Sequence, residues 1–562
     1  MARRKYLMTV SRQKHNARFS VRTFLCTAAL TAITVTLGGC GMSMKDMTDY
    51  ITPSFLDRAE DAQFDHDAKY RAAAPVAAWW REFDDPLLAA LVEQSLETNL
   101  DIRRAMANLR EARAIASRTG FDRFPTVTAD ASYARQRLSE GGVSGGAVQD
   151  RTLDVYETGF DALWELDLFG RVSQRIAAAE ALEASAEADL KRIYVSIAAE
   201  VARTYIELRG AQYRLDIAER NTENQQETYD LTMKLANGGR ATALDTARAQ
   251  TQLDLTRASI PPLHAEVQAA IHRLSVLTGQ VPDALSADLS TRKILPSLPV
   301  SVNIGDVSGL LKRRMDVEVA AQNLRSAVAS YNLSTAEIFP EVNLTGAIGY
   351  AATDFDQIGT SSALQWAIGP TISWRAFDMG RVRAEIERDD ARAMAAVADY
   401  EQTVLRALED VQTSLSDFTR EEERRVILRQ AAGSAAEAAR IARVRFDQGA
   451  DGFLDVLDSE RVLLDAEDSL AQSEISAALD MIGIYKALGG GWQVAPVAMA
   501  QGDMPKEMLA QTTPAPESDP EPEPAQAQDV TPDAPIDALT DAQVQEQKEK
   551  QADLSQTDGQ SE

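Results

Sequence analysis

Cysteine is nearly missing from this chain of 562 residues. Only Cys26 and Cys40 occur, both near the start, which excludes a disulfide framework and a cysteine zinc site. Histidine is as scarce. His15, His66, His264 and His272 stand at no metal-motif spacing, so solvated or packing roles suit them. Basic charge is in short supply too: the formal net charge is −27. Residues 1–39 carry seven basic and no acidic side chains. The stretch from Pro496 carries three lysines against fifteen acids, which leaves −22 on the body. Such acidity argues against nucleic acid as the main partner. No nucleophile, metal or phosphate constellation is found, so the chain is not expected to be an enzyme. Aromatics make up only 6%, alanine is abundant, and no proline lies between Pro370 and Pro496. Long helices packed side by side have this composition.

The leader is basic first and apolar second. Arg3, Arg4, Lys5, Arg12, Lys14 and Arg18 precede an apolar run over residues 24–37, too short for a comfortable membrane span. The run ends on Leu37-Gly38-Gly39-Cys40 and resembles a bacterial lipoprotein signal. That resemblance implies cleavage before Cys40, diacylglycerol on its thiol and an acyl group on the new N-terminus. The bland alternative is an ordinary signal peptide with an incidental cysteine. Gly41 stands where an aspartate would favour inner-membrane retention by the usual sorting pattern. Arg3-Arg4 hints weakly at twin-arginine export, and Met8 is a second possible start.

The second half is organised by a helical hairpin. Val404, Leu408, Val411, Leu415 and Phe418 form a 4-3-4-3 seam, the period of a coiled coil. Gly449 and Gly452 break it, and a second helix runs from Phe453 to Gly489-Gly490-Gly491. At ~1.5 Å per residue the first helix would be about 100 Å long. Such a rod is a stalk, or one stave of something large.

Four stretches instead alternate with period two. They are Val127 to Tyr133, Tyr156 to Leu166, Val342 to Tyr350 and Leu364 to Trp374, each about ten residues with aromatics near the ends. A soluble antiparallel sheet alternates as well. The leader and the Trp- and Tyr-rich ends favour strands with one face in lipid.

The chain repeats itself. At an offset of 215, Asp101, Asn108, Leu109, Phe124 and Pro125 meet Asp316, Asn323, Leu324, Phe339 and Pro340. At 210, Trp164, Gly170, Arg171, Gly239, Leu244 and Asp245 meet Trp374, Gly380, Arg381, Gly449, Leu454 and Asp455. The expected division is a signal peptide over 1–39, an extended anchor segment over 40–78, a first repeat over 79–295, a second over 296–492, and a disordered acidic Pro-rich tail over 493–562. The first repeat should hold strands near 126–133 and 154–166, a long helix over 171–236 and a return helix over 241–278. The second should hold strands near 341–350 and 363–374, a long helix over 381–446 and a return helix over 453–488. Pro261-Pro262 should kink the first return helix. Four strands cannot close a membrane barrel, and an open edge cannot sit in lipid, so several copies must share one. Two copies would give eight strands and three would give twelve.

These residues resemble the TolC family of outer-membrane efflux proteins, in its lipoprotein branch of the OprM/NodT type. The matching features are Trp79-Trp80 with Phe83 and Asp85-Pro86, Phe339-Pro340, Trp164 with Asp167 to Arg171, Ile260-Pro261-Pro262-Leu263, and Gly449 with Leu454 to Asp458. They span residues 79–492 in order. The resemblance implies a mixed α and transmembrane-β fold: a homotrimer with a twelve-stranded β-barrel in the outer membrane, continued by a periplasmic α-helical barrel. It implies a passive, lipid-anchored duct that exports small toxic compounds, with a periplasmic adaptor (membrane fusion) protein and an inner-membrane RND-type pump as partners. No cofactor is expected beyond the lipid on Cys40. By motif match Asp455 and Asp458 are candidates for an acidic ring at a periplasmic constriction, and Asp245 for a hairpin contact. First-turn acids that merely complement a helix dipole are the plainer account. Asp451 stands where some relatives carry a basic residue. A duct for secreted proteins and a non-conducting periplasmic coiled-coil scaffold remain alternatives.

Overall fold

The computed structural model describes residues 55, 70–71, 73, 75–137, 152–299, 301–448, 450 and 452–494. The leader, Cys40, residues 138–151, Gly449, Asp451 and the stretch from residue 495 lie outside the described residues.

Helix α1 (Pro86–Thr98) starts where Asp85 accepts hydrogen bonds from the Leu87 and Leu88 N–H groups at 2.9 and 3.3 Å. Pro86 fits the first turn, because no intrahelical donor is needed there. Asn99 then caps α2 (Leu100–Gly120) and donates from Nδ2 to the Leu277 carbonyl at 2.8 Å. Strands β1 (Thr126–Arg137) and β2 (Thr152–Glu165) follow, and β2 leads into α3 (Arg171–Asn237). Asp167 opens α3 by accepting from the Val172 and Ser173 N–H groups at 3.0 and 2.9 Å. The 67 residues of α3 make a rod of about 100 Å. Val201, Leu208 and Leu215, seven apart, are all buried on it.

The return path is interrupted just before the proline pair, at Ser259, whose backbone stays in the right-handed helical region. α4 (Ala243–Ala258) ends at Ser259, and α5 (Ile260–Leu277) begins beside it. Pro261 and Pro262 fall in the first turn of α5. Their missing N–H groups cost nothing there, whereas inside a continuous helix each would remove a ladder bond.

The second repeat holds α6 (Val307–Arg313), α7 (Met315–Ala336), β3 (Glu341–Ala352), β4 (Leu364–Ser373), α8 (Met379–Asp447) and α9 (Phe453–Ala487). All five seam residues from Val404 to Phe418 are buried, and α8 packs along α9. α7 lies between α3 and α8, while α2 packs along α3.

The strands form one antiparallel sheet in the order β1-β2-β3-β4. A separate two-residue parallel pairing joins Tyr70–Arg71 to Val302–Asn303. It lays the N-terminal segment along the linker between the repeats. No period-two signal announces it, since two residues carry no period.

Several of the largest fully buried side chains gather where the N-terminal segment meets the end of α9. Trp79 stacks on Tyr485 with ring centroids 5.0 Å apart, and Trp80 and Phe83 are buried beside them. The Tyr485 hydroxyl donates to Glu82, and the Tyr205 hydroxyl donates to Asp85 at 2.6 Å. Arg209 is fully buried: it donates to the Gln212 side chain and the Thr291 carbonyl at 2.7 and 2.9 Å and covers the Tyr205 ring. These bonds fasten the inter-repeat linker to α3.

Candidate functional site

Alternation divides the sheet into two unlike faces. Register places Thr128 opposite Asp161, Asp161 opposite Ala347, and Ala347 opposite Ala367, and these share one face with Asp130, Ser132, Glu157, Glu165, Thr345, Gln365 and Thr371. The other face carries Val127, Tyr133, Tyr156, Phe160, Trp164, Leu344, Ile348, Trp366, Ile368 and Ile372. Trp366, Ile368 and Ile372 are each at least 67% exposed. So large an uncovered apolar face is not a surface that water tolerates. No described helix is long and apolar enough to cross a membrane. The sheet is therefore the described element whose pattern matches lipid on one side and water on the other.

Where sheet meets helix, the two repeats place charges at matching positions, and one pair, Glu165 with Arg175 against Arg375 with Glu385, has its signs exchanged. In the first, Arg171 pairs with Glu165 at 2.7 Å and with Glu341 at 3.0 Å, and Arg175 reaches Asp122 at 3.0 Å. In the second, Arg375 occupies the position of Glu165, and Glu385 that of Arg175. Arg375 pairs with Glu337 and, at 3.3 Å, with Glu385. The Trp164 indole donates to the Arg123 carbonyl, and the matching Trp374 to the Ile338 carbonyl, both at 3.0 Å. Each repeat thus ties the end of its second strand to the segment after its short helix by the same bond. Phe169 stacks on Phe339 between them at 4.7 Å.

At the far end of the long helices lie the acids expected from sequence. Asp245 accepts from the Thr242 N–H and hydroxyl at 2.9 and 2.7 Å, closing a capping box on α4. The Thr242 hydroxyl and N–H hold its carboxyl below the usual carboxylate range. Asp455, its counterpart, accepts from the Gly452 N–H at 3.2 Å at the start of α9. Asp458 pairs with Arg461 at 2.8 Å. Each is bound within its own helix start. Asp455 and Asp458 are both exposed. Ala249 of α4 packs with Phe453 and Leu457 of α9, so the two hairpin ends touch through apolar side chains.

Sequence reasoning missed what joins the hairpins above these ends. Glu460 is buried on α9. It accepts from Arg443 Nε of α8 at 2.7 Å and from the Thr228 hydroxyl of α3 at 3.2 Å. Asn221 reaches Glu467 at 3.3 Å and Arg214 reaches Asp468 at 2.8 Å. Thr228, Asn221 and Arg214 stand seven apart, a polar stripe at coiled-coil spacing on α3. That regularity was readable; that it faces α9 was not.

The pattern of the family described as outer membrane efflux protein matches residues 91–280 and 307–490. Among curated proteins, the probable efflux pump outer membrane protein TtgC of Pseudomonas putida is 31% identical over 480 residues, 83% of this chain and 96% of that protein. Outer membrane protein OprJ of Pseudomonas aeruginosa is 30% identical over 465 residues, 82% of this chain and 95% of its own. Among solved structures, the outer-membrane channel OprN is 42% identical with a TM-score of 0.74, covering 78% of this chain and 98% of that one.

Proposed function

This chain belongs to the outer membrane efflux protein family, and from that premise we propose how it works. It is an outer-membrane channel of an efflux system, with a TolC-like fold. In our reading three copies join their sheets into a twelve-stranded barrel, and the long helices continue it as a periplasmic tunnel. One observation carries this reading: a four-stranded sheet with an apolar face, a polar face and two edges, β1 and β4, that no described strand covers. In lipid each unpaired backbone group costs several kcal/mol, so the edges must meet other copies.

The duct is passive. A periplasmic adaptor and an inner-membrane pump of the RND class load it. Its cargo is small toxic compounds, as the names of the toluene and antibiotic efflux relatives suggest for this chain too. Protein export is the second reading; the leader ending on Cys40 and the Pro261-Pro262 pair favour the first. Cys40 carries diacylglycerol and an N-acyl group that hold the chain to the outer membrane. Incorporation of labelled palmitate that survives Cys40→Ser would remove this anchor.

Three-fold symmetry turns Asp455 and Asp458 into rings of carboxylates, which repel anions and collect cations. Asp245 braces the neighbouring hairpin end. Purified protein in planar bilayers should conduct. Asp455→Ala with Asp458→Ala should weaken cation selectivity and block by polyvalent cations. Unchanged selectivity would remove the acidic ring and leave the duct; a folded protein that never conducts would remove the duct.

A further inference from the structure

The internal repeat fixes how one copy meets the next. We propose that β4 pairs with the partner subunit's β1 in a single register, in which Thr371 lies opposite the partner's Ser132. This rests on the shared barrel proposed above and specifies its seam.

The backbone restricts the pairing first. The Leu166 N–H donates to the Val342 carbonyl at 2.8 Å, and the Ala351 N–H to the Ala363 carbonyl at 3.0 Å. Hydrogen-bonded and non-bonded pairs alternate along an antiparallel ladder. Followed through the registers, odd-numbered residues of β4 bond inward to β3, and even-numbered residues of β1 bond inward to β2. The outward groups are therefore those of Val127, Ala129, Ala131, Tyr133 and Arg135 on β1. On β4 they belong to Leu364, Trp366, Ile368, Pro370 and Ile372. Setting these two rows opposite each other also keeps apolar residues on one face and polar residues on the other. A slip of one residue would break both conditions at once. Registers two residues apart remain open.

The repeat chooses among them. An offset of 210 carries β2 onto β4, and an offset of 215 carries β1 onto β3. The interface between β2 and β3 is then the internal copy of the seam. In it Asp161 lies opposite Ala347, which maps to Thr371 opposite the partner's Ser132. The same mapping sets Ser373 opposite the partner's Asp130, and Ile368 opposite the partner's Arg135. Pro370, which has no N–H, points outward and meets the partner's Tyr133, so the seam lacks one ladder donor. A proline there suits a strand that is an edge until assembly. Crossing one copy runs from Val127 to Ala162, Gly346 and Ile368, and then to the partner's Arg135. Each copy therefore advances the ladder by eight residues, and this stagger sets the tilt and bore of the barrel.

Pairs on the polar face are of the non-hydrogen-bonded kind, with Cα atoms about 4.5 Å apart, within disulfide range. They also face water, where an oxidant reaches them. The full-length chain carrying Ser132→Cys with Thr371→Cys, oxidised in outer-membrane vesicles, should give a reducible ladder up to the trimer. It should form at least tenfold faster than with Ser132→Cys and Gly369→Cys, or with Ser132→Cys and Ser373→Cys. Gly369 has open space for a side chain. Asp130→Cys with Ser373→Cys tests the same register should the first pair fold poorly. A faster ladder from either shifted pair overturns the register. No ladder from any pair, with native mass still trimeric, overturns β4–β1 pairing while the trimer stands. A folded chain of single-copy mass removes the shared barrel itself.

Discussion

Asp480→Asn should tighten the seam between α8 and α9, and more so at neutral pH than in acid. The Ser473 hydroxyl of α9 donates to Glu421 of α8, and a side chain at Gly483 would meet Ser414 Oγ at 3.8 Å. Asp480 lies between these two contacts, facing Asp417 and Glu421; Glu421 is itself paired with Arg424. Burial, and then the charges of Asp417 and Glu421, push the Asp480 carboxyl up from 3.8 to about 6. The native state thus holds this proton more tightly than the unfolded chain. The stability linked to it is complete below pH 3.8 and is lost as pH rises to about 6. Roughly two pKa units would be worth about 3 kcal/mol, and solvent reaching this half-buried group brings that to about 1–2 kcal/mol. Asparagine keeps the shape without the charge. At pH 7.5 the variant should slow amide exchange along the α8–α9 seam about 5- to 30-fold relative to wild type. At pH 5 the gain in free energy should be about half as large. Comparing the two proteins at each pH cancels the intrinsic pH dependence of exchange. An equal gain at both pH values, or faster exchange in the variant, would refute the reasoning.

Two further outcomes follow, one from a close approach between strands and one from the contacts of Glu460. Gly349→Ala should cost about 3 kcal/mol or more, because its Cβ would lie 2.5 Å from the Thr158 carbonyl oxygen and 2.8 Å from Gly159 Cα, both backbone atoms. The yield of assembled protein in outer membranes should fall sharply, while Gly346→Ala, whose Cβ meets nothing nearer than 4.0 Å, should match wild type. Glu460→Gln should cost about 2 kcal/mol through its charged hydrogen bond to Arg443. Arg443 is 43% exposed, so its charge stays solvated and a larger loss is not expected. Faster exchange confined to α3, α8 and α9 near their ends would be the readout; unchanged exchange there would show that the buried carboxylate contributes nothing.

Much of the architecture was legible because it is periodic. The seam from Val404 to Phe418 repeats at coiled-coil spacing, and the strands alternate, so each element declared its own buried face. The internal repeat then doubled every signal. The return helix read less well. A proline pair implies a disturbed helix, but whether the chain bends or restarts depends on the neighbours that satisfy the freed groups. The hairpin-end acids were legible as a pattern, whereas the sequence did not reveal that Asp245 and Asp455 cap their own helices and that Asp458 holds Arg461.

Sequence by itself determined the elements and their faces, since burial preference and backbone geometry act over a few residues. It also determined the equivalence of the two halves, which residue identities at fixed offsets carry. Only the tertiary structure decided which faces meet. Glu460 lies 232 residues from Thr228, one junction ion pair has its charges exchanged between repeats, and Asp480 is set against two like charges. Contacts of that kind depend on how long helices are offset along one another, and a helical period is the same at every offset.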